Sequence, residues 1–156
     1  MWAKPTLSVF DIAFSQDSQH IAAAVGNSVS LWRVDSGQLA GTSNFGEVQS
    51  IAFRPESTEL AIDGGRHLLF VEIPNLRVIR WFPSSDHPSI SFSANGQRVA
   101  SVGAASVQVW DLPNPEPVYT FSFPGHRWIS RKTTITPDGK TLLVGHGPRL
   151  TIIPLP

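Results

Sequence analysis

The sequence predicts an all-β fold of four successive four-stranded antiparallel meanders. Three observations predict it. Equivalent positions recur at fixed spacing: Val29, Leu68, Val107 and Leu150 lie 39, 39 and 43 residues apart. The recurring segments alternate apolar with polar or small residues, the period of a strand half-buried on one face. No segment carries a helical period, and Gly and Pro, 12 and 13 in number, are scattered along the chain as turn punctuation.

The first strand of each unit is Phe10-Asp11-Ile12-Ala13-Phe14-Ser15, then Gln49 to Arg54, Pro88 to Ser93 and Arg131 to Thr136. In these segments Phe14, Phe53, Phe92 and Ile135 repeat the 39, 39, 43 spacing. A polar turn follows each one. Asn95-Gly96 and Asp138-Gly139 are the clearest, because Asn, Asp and Gly tolerate the positive φ of tight hairpins. Second strands follow at Ile21 to Val25, Leu60 to Ile62, Val99 to Val102 and Leu142 to Val144. The third strands are Ser28 to Val34, Leu68 to Glu72, Ser106 to Asp111 and Leu150 to Ile153. Fourth strands close three units, at Gln38 to Gly41, Arg77 to Trp81 and Pro117 to Phe121. A repeat near 40 residues means stacked supersecondary units sharing a continuous core.

Composition narrows the function. Lys+Arg and Asp+Glu are 12 each, so no charge excess points to nucleic acid or an anionic membrane. There is no cysteine, hence no disulfide, thiolate metal site or thiol nucleophile. No apolar run approaches the roughly 20 residues of a transmembrane helix, and the N-terminus lacks a signal-peptide pattern. The expected location is cytoplasmic.

Together, the Trp110-Asp111 strand end, the Phe123-Pro124-Gly125-His126 segment and the Thr136-Pro137-Asp138-Gly139 turn resemble the WD-repeat β-propeller family over nearly the whole chain. The resemblance implies four blades: about 9–42, 48–81, 87–121 and 131–156. It also implies that a strand at about 1–7 completes the last blade. In the family a buried His/Ser/Asp/Trp network anchors each blade. Here Gly26 and Ala104 stand where its Asp would be, and Gly125-His126 is the surviving Gly-His pair. Apolar packing must then carry the blades. WD-type rings close at seven or eight blades, so two chains are expected to form an eight-bladed homodimeric ring. An open half-ring would leave large apolar flanks bare.

Catalytic, cofactor and metal sites are not expected. His20, His67, His87, His126 and His146 show no ligand spacing, and they read as solvated loop residues. G-x-S-x-G is absent, and Gly145-His146-Gly147-Pro148 is a turn that opens no helix. Asp11 lies on an innermost strand and reads as a solvated channel acid. Basic residues concentrate once, at His126-Arg127-Trp128-Ile129-Ser130-Arg131-Lys132, where the fourth unit carries its four extra residues. Insertions in repeats map to loops, often on the binding face, and Arg and Trp are favoured contact types.

Arg127, Trp128, Arg131 and Lys132, with Phe45, His87 and His146 on the same rim, are therefore the expected partner-binding residues. Trp32, Trp110, Phe14, Phe53 and Phe92 are expected to be core. The function expected is a non-catalytic scaffold presenting a rim and channel mouth to a protein or peptide. The alternatives are a self-assembling structural half-ring and, remotely, an enzyme with a channel-mouth site.

Overall fold

The computed structural model describes residues 8–84, 89–103, 106–123, 131–146 and 148–156, with backbone alone at 131 and 146. The expected N-terminal strand at 1–7 lies outside the described residues. Four antiparallel sheets follow one another along the chain, with no helix among the described residues.

The first sheet is β1 (Val9–Phe14), β2 (His20–Val25), β3 (Ser28–Arg33) and β4 (Leu39–Asn44). The second is β5 (Ile51–Phe53), β6 (Glu59–Asp63), β7 (His67–Glu72) and β8 (Arg77–Pro83). The third is β9 (Ser89–Phe92), β10 (Arg98–Val102), β11 (Ser106–Asp111) and β12 (Tyr119–Ser122). Among the described residues the fourth has three strands: β13 (Arg131–Ile135), β14 (Thr141–His146) and β15 (Arg149–Pro154). Each sheet keeps its strands in chain order, a simple meander. The inner strands stand side by side, β1 next to β5, β5 next to β9 and β9 next to β13.

The turns explain the register. At the β1–β2 turn Asp17 accepts hydrogen bonds from the Ser15 hydroxyl (2.6 Å) and the Gln19 amide (2.9 Å). Asn95 does the same with Ser93 and Gln97, and Asp138 with Thr136 and Lys140. Gly96 must be glycine: its φ is +63°, and a Cβ would sit 2.6 Å from the Pro55 carbonyl oxygen. The hydroxyl and amide bonds hold the Asp17 and Asp138 carboxyls below their ordinary pKa of 3.8. A depressed acid contributes stability above its unfolded pKa and loses it as pH falls through the folded one. Asn95 is the neutral counterpart at the same position. Replacing both acids (Asp17→Asn with Asp138→Asn) should therefore narrow the gap in melting temperature between pH 7 and pH 3. An unchanged gap in thermal melts would contradict this account.

Side-chain alternation gives every sheet two packing faces. Ala22, Ala24, Val29 and Leu31 of the first sheet pack on Ile51, Leu60, Ile62 and Val71 of the second. The second sheet turns Ala61, Leu68 and Phe70 to Ile90, Val99 and Trp110 of the third. The third turns Ala100, Val102, Val107 and Val109 to Ile135, Leu142, Val144 and Ile153 of the fourth. Most of these side chains recur at the same repeat positions, although the buried polar Asp63 stands where Ala24 and Val102 pack and the buried polar Ser101 where Ile62 and Val144 pack. The core is thus three flat seams between sheets, each excluding water from apolar side chains on both sides.

Charged clasps reinforce two seams on the β1–β2 turn side. Arg98 makes a paired contact with Asp111 (2.6 and 3.0 Å) and also donates to the Gly139 and Pro156 main-chain oxygens, both at 2.9 Å. Arg54 donates to the Gly96 carbonyl (2.7 Å) and to Glu59, which Arg80 also contacts.

Candidate functional site

Among the described residues, one rim holds the first sheet-to-sheet link and the first two turns between second and third strands. Asn44 caps the first link by accepting from the Gly46 amide (3.0 Å), and the Phe45 amide donates to Asn27 (3.0 Å). The Phe45 ring is half-buried and packs under the link against the first seam. Phe123, two repeats on, packs in the same way against the third seam. Phe45 therefore anchors its loop as well as lying on the expected rim.

Arg131 and His146 face one another across the β13–β14 ladder, with Lys132 opposite Gly145 one position along. The structure brings these three expected site residues together on one hairpin at the rim. Phe45 belongs to the opposite end of the array, between the first and second sheets. Lys132 is exposed, on the face of β13 that has no neighbouring sheet. Arg127, Trp128 and His87 lie outside the described residues.

Sequence reasoning missed a polar column on the inner strands. Asp11 Oδ2 accepts from the Ser50 hydroxyl (3.1 Å) and the Ile51 amide (2.9 Å) of the next sheet. Ser50 Oγ accepts from the Ile90 amide (3.2 Å), and Ser89 Oγ from the Thr133 amide (3.0 Å). Asp11 is thus a half-buried tie between sheets rather than a solvated channel acid. A signal was present, since Asp11, Ser50, Ser89 and Lys132 keep the 39, 39, 43 spacing. Their bonding to main-chain amides about one repeat away could not be read from pattern alone.

Two clefts open on the opposite rim, at equivalent joints. One, of about 840 Å³, lies between the first two sheets, among Asp17, His20, Glu56 and Pro74. The other, of about 400 Å³, lies between the last two, among Asn95, Arg98, Asp111 and Asp138. Asp17 and Asp138 there are committed to turns and Asp111 to the Arg98 clasp. No group of three or more His, Asp or Glu suited to a metal ion occurs among the described residues. Nor is any helix among them long and apolar enough to cross a membrane.

The largest departure from expectation is at the two ends of the array. Phe14 and Trp32 were expected in the core, yet Phe14 is exposed and Trp32 half-exposed. Ile12 is 61% exposed, whereas its equivalents Ile51 and Ile90 are 4% and 8%. At the other end Ile152 is 63% exposed, while its equivalents Leu31, Phe70 and Val109 are fully buried. The reason is positional: these columns become core only where a neighbouring sheet covers them.

The family model for the WD domain, G-beta repeat, matches residues 4–33, a window ending with β3. That match and the four meander sheets bear out the resemblance drawn from the repeats. No curated protein matches the chain.

Proposed function

We propose, taking the WD-type repeat as premise, that the chain is a non-catalytic protein-interaction scaffold that works as an eight-bladed ring of two copies. Repeats of this family generally serve as interaction platforms. The observation that carries the reading is the placement of Arg131 opposite His146 on one rim hairpin of a stiff strand array. This hairpin directly follows the insertion containing Arg127 and Trp128. Contact residues carried by a stiff strand array let a partner's side chains be buried at little ordering cost.

The test is a peptide array probed with the purified protein, its hits measured in solution by calorimetry. Arg127→Ala with Trp128→Ala should weaken a genuine hit by about 100-fold, as loss of two contact hot spots does. Unchanged binding in the double variant rejects this loop as the contact surface. The two open apolar flanks favour a second reading, in which the chain is an assembly unit whose partner is its own copy. An array without hits, from a protein that still pairs, would select that reading.

A further inference from the structure

We infer that the ring closes head to tail, the open face of the fourth blade seating on the open face of the first blade of a second copy, with Lys132 of each copy paired to Asp11 of the other. The inference rests on the two-copy reading above and names its seam. The first line of argument is continuity. The face carrying Leu143, Leu150 and Ile152 is, by repeat position, the face that blades one to three each press on the blade after them. The face carrying Ile12, Phe14 and Trp32 is the one that blades two to four each present to the blade before. One end offers the seat, and the other end offers what sits in it.

The second line is charge. At each inner edge one polar column faces the following blade, and the first joint shows the contact directly: the Ser50 hydroxyl meets Asp11 at 3.1 Å. The column reads Asp11, Ser50, Ser89, Lys132. An acid begins it and a cation ends it. In blades two to four the amide following this column is held by the preceding blade's side chain. In blade one Asp11 Oδ1 holds it instead, through the Ile12 amide at 3.0 Å. A second copy's Lys132, standing at the preceding position, meets an amide already satisfied and a carboxylate that accepts its ammonium. The closing joint has opposite charges because the column carries its two charged members at its two ends.

Two-fold symmetry makes two such seams, so each substitution acts twice. Light scattering over a concentration series should find the wild-type chain paired. Lys132→Glu opposes Glu to Asp in both seams and should weaken pairing by about 10- to 100-fold, as should Asp11→Lys. Mixed in equal amounts, the two variants restore opposite charges at both seams. Native mass spectrometry should then find the heterodimer and little of either homodimer. Should Asp11→Lys fail to fold, as loss of its ties to Ser50 and Ile51 allows, Lys132→Glu and the salt dependence of wild-type pairing decide. A wild-type dimer that Lys132→Glu leaves as tight as before, or a mixture that does not favour the heterodimer, overturns the seam and leaves the ring standing. A monomeric wild type overturns both.

Discussion

Val109→Asp sharply lowers the melting temperature of the chain, and Ile152→Asp leaves its melting almost unchanged but leaves it unpaired. That is the expected outcome of the same substitution at two copies of one repeat position. Val109 is fully buried between the third and fourth sheets. An aspartate there forfeits apolar burial and places an unpaired carboxylate in a dry seam. The loss is about 4 kcal/mol or more, a large share of the stability of an ordinary domain. Ile152 lies on the open face of the fourth sheet, and a substitution there should cost the single chain within about 1 kcal/mol. Pairing through that face would suffer at both seams and weaken by at least about 100-fold. Circular dichroism melts read the first quantity and light scattering the second. A folded Ile152→Asp dimer would show that some other surface joins the copies.

Trp110→Ala should be the most damaging truncation on a single side chain. The indole fills the second seam with no exposure, stacked at 6.0 Å from Phe82 and packed with Leu68, Phe70, Ile90 and Val99. Removing it costs about 3–5 kcal/mol, a fall of roughly 10 °C in melting temperature for a chain of this size. Trp110→Phe is expected to cost far less, about 1 kcal/mol, because a ring remains and no hydrogen bond is lost. The indole N–H is buried without an acceptor among the described residues. Substitutions that cost the same would place an acceptor at that nitrogen. Differential scanning calorimetry on both variants separates the two cases.

The strands were legible because the repeat supplies its own alignment. Ile21, Leu60, Val99 and Leu142 fall on β2, β6, β10 and β14, and the Trp32, Val71, Trp110, Ile153 column on the third strand of each sheet. Alternation told which side chains share a face. It could not tell whether that face is covered, so Phe14 read as core on the same evidence as Ile135. Burial depends on a neighbour, and a terminal repeat lacks one. Edges were also loose: β4 runs on to Asn44, because Thr42 meets Ser30 (3.0 Å between hydroxyl oxygens) across a pairing that polar residues do not announce. At the candidate site, the sequence located the basic hairpin by its insertion. It was blind to Phe45 folding under its loop, since an aromatic in a link reads alike whether it points out or in.

The inter-sheet ties along the inner strands also bear on how a partner can bind. An unpaired strand edge normally invites a peptide to add itself as one more strand, bonding main chain to main chain. Here the amides of Ile51, Ile90, Thr133 and Ile135 on that edge are already taken by Asp11, Ser50, Ser89 and Ser91. A peptide laid along the inner strands finds those donors spent. It must be gripped by side chains there, and strand addition is left to the outer edges of the blades.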